Sequence, residues 1–159
     1  MPVPVEVLRH VPLMSKVDDA VLAELAPRFI ERVYDRGTPM VSKGSNGAGF
    51  FIIAEGEATV DVAGGGSSVA RLGPGECFGE IALIDGGKRS RDITATTNVR
   101  AWGISRDQFR IFVKGHPDVA WGLLEVLAAR LRATEVATPK PVPRERRRWT
   151  PRRHRRQRV

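Results

Sequence analysis

Between a Gly73-Pro74-Gly75 turn and a β-branched run at 93–96 lies the segment FGEIALIDGGKRS, Phe78 to Ser90, whose residue types suit the capture of an anion. Gly79, Glu80, Ile81, Ala82 and Leu83 can make one short helical turn, whose first amides have no acceptor inside the turn and point outward as donors. Arg89 then returns a full positive charge nine residues after Glu80. The combination reads as a phosphate site with a carboxylate beside it. A carboxylate next to a bound phosphate is unfavourable unless it finds a donor of its own, and a ribose 2′-hydroxyl is such a donor. Glycine at 79 lets the backbone come close to the ligand.

Little else in the chain has the spacing that chemistry needs. His10, His116 and His154 do not form a metal-ligand pattern, and no Ser-His-Asp, Cys-His or paired-carboxylate arrangement can be assembled. Glu80 and Asp85 are close, but the first has a ligand role and the second falls in a turn. The single cysteine, Cys77, reads as a small buried hydrophobe rather than a reactive thiol. Trp102 and Trp121 fall in apolar segments and read as core residues, with capping of a bound base as the alternative for Trp121. The expectation is a binding protein, not an enzyme, with no metal and no cofactor.

The elements that position the segment follow from hydrophobic period. Asp18 to Ala26 carries Val21, Leu22 and Leu25 at helical spacing behind Asp18 and Asp19, and Pro27 marks the end. Short β-branched and aromatic runs follow at 30–34, 39–42, 50–53, 58–62, 68–72, 93–96 and 100–104, separated by glycine-rich turns. Helical period returns with Phe109, Phe112 and Val113. A longer stripe begins near Pro117 with Val119, Leu123, Val126, Leu127, Arg130 and Leu131. The fold class is therefore mainly β with flanking helices: an antiparallel, jelly-roll-like β-roll with an N-terminal helix and C-terminal helices.

Charge separates two parts of the 159-residue chain. Residues 1–132 carry 16 Lys and Arg against 16 Asp and Glu, whereas residues 133–159 carry 10 against 2. The net charge of +8 thus belongs to the tail. One domain is expected over 1–138. It is followed by a basic Pro/Arg-rich segment, 139–159, expected to be disordered and able to bind nucleic acid or an anionic membrane surface without sequence preference. No signal-peptide pattern and no long apolar run is present, so a cytoplasmic location is expected.

At FGEIALIDGGKRS the chain resembles the cyclic-nucleotide-binding domains of bacterial catabolite activators, cyclic-nucleotide-dependent kinases and cyclic-nucleotide-gated channels. The phosphate-binding cassette of that family runs phenylalanine, glycine, glutamate, an apolar stretch, then arginine and a small or hydroxyl residue. Phe78, Gly79, Glu80, Ile81, Ala82, Leu83, Arg89 and Ser90 match it. Val11-Pro12-Leu13, Gly37, Gly44, Gly56 and Gly73-Pro74-Gly75 resemble the family's framework in order and spacing. The resemblance implies that the ligand is cAMP or cGMP, that Glu80 accepts the ribose 2′-hydroxyl, and that Arg89 pairs with an exocyclic phosphate oxygen. It also implies phosphate contacts from the amides of Ile81 and Ala82. Ser90 is implied to contact either the phosphate or a guanine 2-amino group. Thr134, in RLRAT, resembles the threonine that meets the adenine amine in the catabolite activators.

The implied function is cyclic-nucleotide sensing, with the signal leaving through the C-terminal helix to an effector protein, to a second copy in a homodimer through Val119 to Leu131, or to the basic tail. Catabolite activators place a helix-turn-helix domain after that helix, and the residues beyond Pro139 are expected to be too few for one. Two positions depart from the family outline. Arg91 stands where a small residue is usual and, by strand alternation, shares the inward face with Ile93 and Ala95, so that it either strengthens the anion site or obstructs it. Asp92 either neutralises Arg91 or weakens the site. The alternative reading is a degenerate roll that keeps the fold, serves as a protein-interaction module and leaves polyanion binding to the tail.

Overall fold

In the computed structural model the described residues are 1–45, 49–61, 69–89 and 91–137. Helices α1 (Val5–Arg9) and α2 (Asp19–Leu25) precede the strands β1 (Ile30–Tyr34), β2 (Pro39–Val41), β3 (Gly49–Glu55), β4 (Ala58–Asp61), β5 (Val69–Leu72) and β6 (Cys77–Phe78). Helix α3 (Glu80–Asp85), strands β7 (Ile93–Ala95) and β8 (Val99–Ser105), and helices α4 (Arg106–Gly115) and α5 (Pro117–Ala137) complete the order. The strands form two antiparallel four-stranded sheets among the described residues, β1-β8-β3-β6 and β2-β7-β4-β5. This is the roll with flanking helices that the period of the sequence requires.

The central strands β3 and β8 are buried on both faces, and strand alternation divides their side chains between two cores. Phe50, Ile52, Trp102 and Ile104 point to the helical side. There they meet Leu8, Leu22, Phe109, Phe112, Val119 and Leu123. Ile53, Val99 and Ala101 point the other way and pack, together with Phe78 of β6 in the same sheet, against Val41, Ala58, Ile93 and Ala95 from the facing sheet. The molecule is thus layered as helices, sheet and sheet, and the cassette lies at the edge of the second core. Gly56 turns the chain between β3 and β4 at φ +87°, where a Cβ would fall against the carbonyl of Asn98 and the hydroxyl of Thr97.

Four local features differ from the reading of the sequence. The sequence does not predict helix α1: it is five residues long and uncapped by any side chain, and fully buried Leu8, with an Arg9–Asp19 ion pair to α2, holds it through tertiary contacts. Strand β6 has two residues, too few for a period to show. The α2 helix does stop at Leu25, just ahead of Pro27, but Pro27 itself sits in a 3₁₀ turn, Ala26–Arg28, that the period does not show. Trp102 is core, but Trp121 is 66% exposed. The face of α5 that packs inward is set by Val119 and Leu123, and a residue midway between them points to the opposite side of a helix. The basic segment 139–159 and its implied nucleic-acid or membrane contacts lie outside the described residues, as does Ser90.

Candidate functional site

Strand β6 delivers the chain to Gly79, which holds φ +92° and opens α3. A Cβ at this position would run into the guanidinium of Arg89 and the carbonyl of Gly49, so that only glycine permits the close approach of cassette, strand β3 and arginine. The amides of Glu80, Ile81 and Ala82 precede the first helical bond of α3, from Leu83 N–H to Gly79 O at 3.0 Å. Gly86, at φ +67°, ends the helix and accepts no side chain cheaply, because Arg106 lies against it.

Arg89 is buried, at 8% exposure, and its backbone is fixed on both sides: its N–H donates to Ser45 O at 3.0 Å, and its carbonyl accepts from Gly44 N–H at 2.8 Å. Its guanidinium donates through Nη2 to Gly49 O. Nε has no acceptor, and no carboxylate pairs with the group among the described residues. Burial without a counter-ion pushes the Arg89 pKa down from the usual guanidinium value. A buried cation in this condition is costly unless a ligand completes it.

Arg89 opens onto a cavity of about 530 Å³, within the ~300–1,000 Å³ range of small-molecule sites. One wall is apolar, from Val41, Val60, Leu72 and Ile93 of the second sheet. The other carries Gly79, Glu80, Ile81 and Ala82 with Asp85, Lys88, Arg89 and Arg91. Five of the seven expected site residues, Gly79, Glu80, Ile81, Ala82 and Arg89, are therefore brought together around one space. Thr134 is exposed on α5, where its hydroxyl donates to Arg130 O at 3.1 Å, and it is not among the residues that line the cavity.

The residue that sequence reasoning missed is Arg130. Taken there for part of the apolar stripe of α5, it lines the cavity and donates from Nη2 to Glu80 Oε2 at 2.9 Å, an ion pair that ties the C-terminal helix to the cassette. A cation standing in an apolar helical stripe was the available signal. Glu80 Oε1 also faces the Cys77 thiol at 3.6 Å. Burial and the Glu80 carboxylate push that thiol's pKa up to about 12, so it stays protonated at neutral pH.

The two departures from the family outline resolve differently. Arg91 lines the cavity together with Ile93, and the space remains open beside it. The Asp92 carboxylate instead accepts from the Lys43 amide, and the Asp92 carbonyl accepts from Asp61 N–H at 3.1 Å. Asp92 therefore serves the β2 and β4 connections and makes no ion pair with Arg91. Among the described residues no cluster of three or more His, Cys, Asp or Glu could hold a metal ion, and no helix is long and apolar enough to cross a membrane.

Comparison with known proteins agrees with this geometry. The chain is 30% identical over 132 residues, 81% of its length, to a CRP-like cAMP-activated global transcriptional regulator of Mycobacterium tuberculosis, and it spans 59% of that protein's length. Its structure is similar to the N-terminal domain of a transcriptional regulator from Streptomyces coelicolor A3(2), with a TM-score of 0.74 and 31% identity, covering 82% of this chain and 94% of the other. It is also similar to the regulatory domain of Toxoplasma gondii PKA in complex with cAMP, with a TM-score of 0.61 and 26% identity over 70% of this chain and 43% of the other. The cyclic nucleotide-binding domain model matches residues 31–116, which run from β1 through the cassette to the end of α4. The chain belongs to the cyclic nucleotide-binding domain family.

Proposed function

We propose that this protein is a cytoplasmic sensor of a cyclic nucleotide, with cAMP the preferred ligand over cGMP, and that it passes the signal on through α5. One observation carries the reading: Arg89 is buried without a counter-ion against a cavity of ligand size, beside a glutamate that reaches the C-terminal helix. The cyclic phosphate pairs with Arg89 and with the amides of Ile81 and Ala82, and the ribose 2′-hydroxyl donates to Glu80. The choice of cAMP rests on the relatives, whose names and bound ligand specify it.

The Glu80–Arg130 ion pair supplies the route outward. A ribose that engages Glu80 changes the acceptor that Arg130 holds, and α5 moves with its arginine. Trp121, Leu124 and Leu131 are exposed on α5 at 66%, 56% and 61%, and their spacing of three and seven residues forms the seam of a paired helix. A homodimer through this seam is the proposed receiver of the shift, which it relays to an effector protein. Thr134, one turn beyond Arg130, reaches the adenine once α5 closes over the cavity, and Ser90 adds its hydroxyl at the phosphate or base.

Titration calorimetry of the full chain with cAMP, cGMP and AMP tests the proposal. Saturable cAMP binding that weakens at least tenfold in Arg89→Ala is expected. No heat from either cyclic nucleotide at millimolar ligand would end the sensor reading and leave the roll as a protein-contact module.

A further inference from the structure

Arg91 changes the charge of the cavity, and the side chains around it show by how much. The lining holds four cations, Lys88, Arg89, Arg91 and Arg130, against two carboxylates, Glu80 and Asp85. Glu80 is occupied by Arg130, and Asp85 accepts the Gly87 amide at 2.7 Å. Lys88 and Arg91 make no ion pair among the described residues. The nearest carboxylate in sequence, Asp92, is engaged by the Lys43 amide. Two positive charges therefore remain in excess over the carboxylates of the same wall. A concave site with low-dielectric walls concentrates such a field on whatever enters it.

A cyclic mononucleotide carries one negative charge at its phosphodiester and leaves half of that excess unmatched. We infer, resting on the nucleotide-binding reading above, that Arg91 is a second phosphate cation and a specificity residue, which adapts this site to nucleotides bringing two negative charges. Arg89, fixed by the backbone at Gly44, Ser45 and Gly49, holds the inner phosphate oxygens. Arg91 is exposed where the chain enters β7, and its planar fork receives the second charge near the mouth. That charge comes either from the second ionised oxygen of a phosphomonoester or from the second diester of a cyclic dinucleotide.

Calorimetry of the full chain with cAMP, 5′-AMP and cyclic di-AMP, on wild type and Arg91→Ala, at low and physiological salt, separates these cases. One dianionic ligand is expected to bind wild type about tenfold more tightly than cAMP at low salt, with the margin shrinking as salt rises. Arg91→Ala is expected to remove that margin, weakening the dianionic ligand about tenfold more than it weakens cAMP at low salt. Tighter 5′-AMP assigns the phosphomonoester; tighter cyclic di-AMP assigns the paired diesters. If cAMP binds wild type while both dianions bind more weakly, or if Arg91→Ala tightens cAMP, the second-cation role is wrong and the sensor reading stands. If none of the three binds, both readings fall together.

Discussion

Arg100 and Arg89 flank the same short stretch of chain and live by opposite rules. On β8, Arg100 donates to Glu55 at 2.6 Å and Glu31 at 3.4 Å and lies 5.6 Å from the Trp102 ring centroid. The hydrogen bond it donates to Glu55 leads the causes that raise its pKa above the ordinary guanidinium value. Arg89, at the edge of the second core, has a carbonyl for one nitrogen, nothing for Nε, and a pKa lowered by burial. The fold supplies counter-charge where a cation bridges neighbouring strands of the sheet and withholds it where a cation faces the cavity. The two cores repeat the contrast. The helix-backed core is closed by aliphatic and aromatic side chains, whereas the second core is shaped around an opening.

The largest effect that tests this division belongs to the helix-backed core. Phe50, fully buried and edge-on to Phe29 with centroids 6.4 Å apart, leaves a cavity when truncated. Phe50→Ala is expected to cost about 3–5 kcal/mol in urea unfolding, while the folded fraction keeps its ligand affinity. A parallel loss of affinity would mean that the two cores are one functional unit.

Next comes the pair of arginines. Arg89→Ala is expected to weaken cyclic-nucleotide binding by roughly 1.5–3 kcal/mol, tenfold to a hundredfold or more, without lowering the unfolding midpoint, since a desolvated cation is removed. Arg100→Ala should leave binding untouched and shift stability no more than other surface ion-pair deletions do. Calorimetry and thermal melts on both variants decide it. A destabilised Arg89→Ala with unchanged affinity would reverse the assignment.

Smaller effects sharpen the ligand end. Thr134→Ala is expected to weaken cAMP by one neutral hydrogen bond, about 0.5–1.5 kcal/mol, and Ser90→Ala to weaken cGMP by a similar amount if the serine reads guanine. Equal losses for both nucleotides at 90 would assign it to the phosphate. An unchanged Thr134→Ala would mean that α5 does not close far enough to bring it to the base.

The smallest expected effect is a pH dependence outside the cavity. His116, where α4 meets α5, places Nδ1 2.9 Å from Phe112 O and Nε2 2.8 Å from the Glu24 carboxylate. Both partners are acceptors, so the doubly protonated ring is favoured. The Phe112 carbonyl, then Glu24, raise its pKa above 6.5 against burial and nearby Arg28. A raised folded pKa gives a contribution fully present below the unfolded value near 6.5 and lost as pH climbs through the folded one. The unfolding midpoint should therefore fall slightly on that ascent, and His116→Gln should flatten the profile. An unchanged slope in the variant would assign the dependence to another group.

Local patterns in the chain already determined the roll, its flanking helices and the cassette. Short β-branched and aromatic runs such as 30–34 and 93–96, turn glycines such as Gly56, and Phe78 to Arg89 in order are properties of neighbouring residues, and neighbouring residues can be read without coordinates. Packing decided α1, since five residues cannot pay for a helix without Leu8 in the core. It also decided that Trp121 faces outward, that Asp92 serves the Lys43 turn and not the ligand wall, and that Arg130 crosses fifty residues of chain to meet Glu80. Each of these depends on which elements become neighbours in space, and distance between elements is set by the joint packing of two cores, which no local pattern encodes.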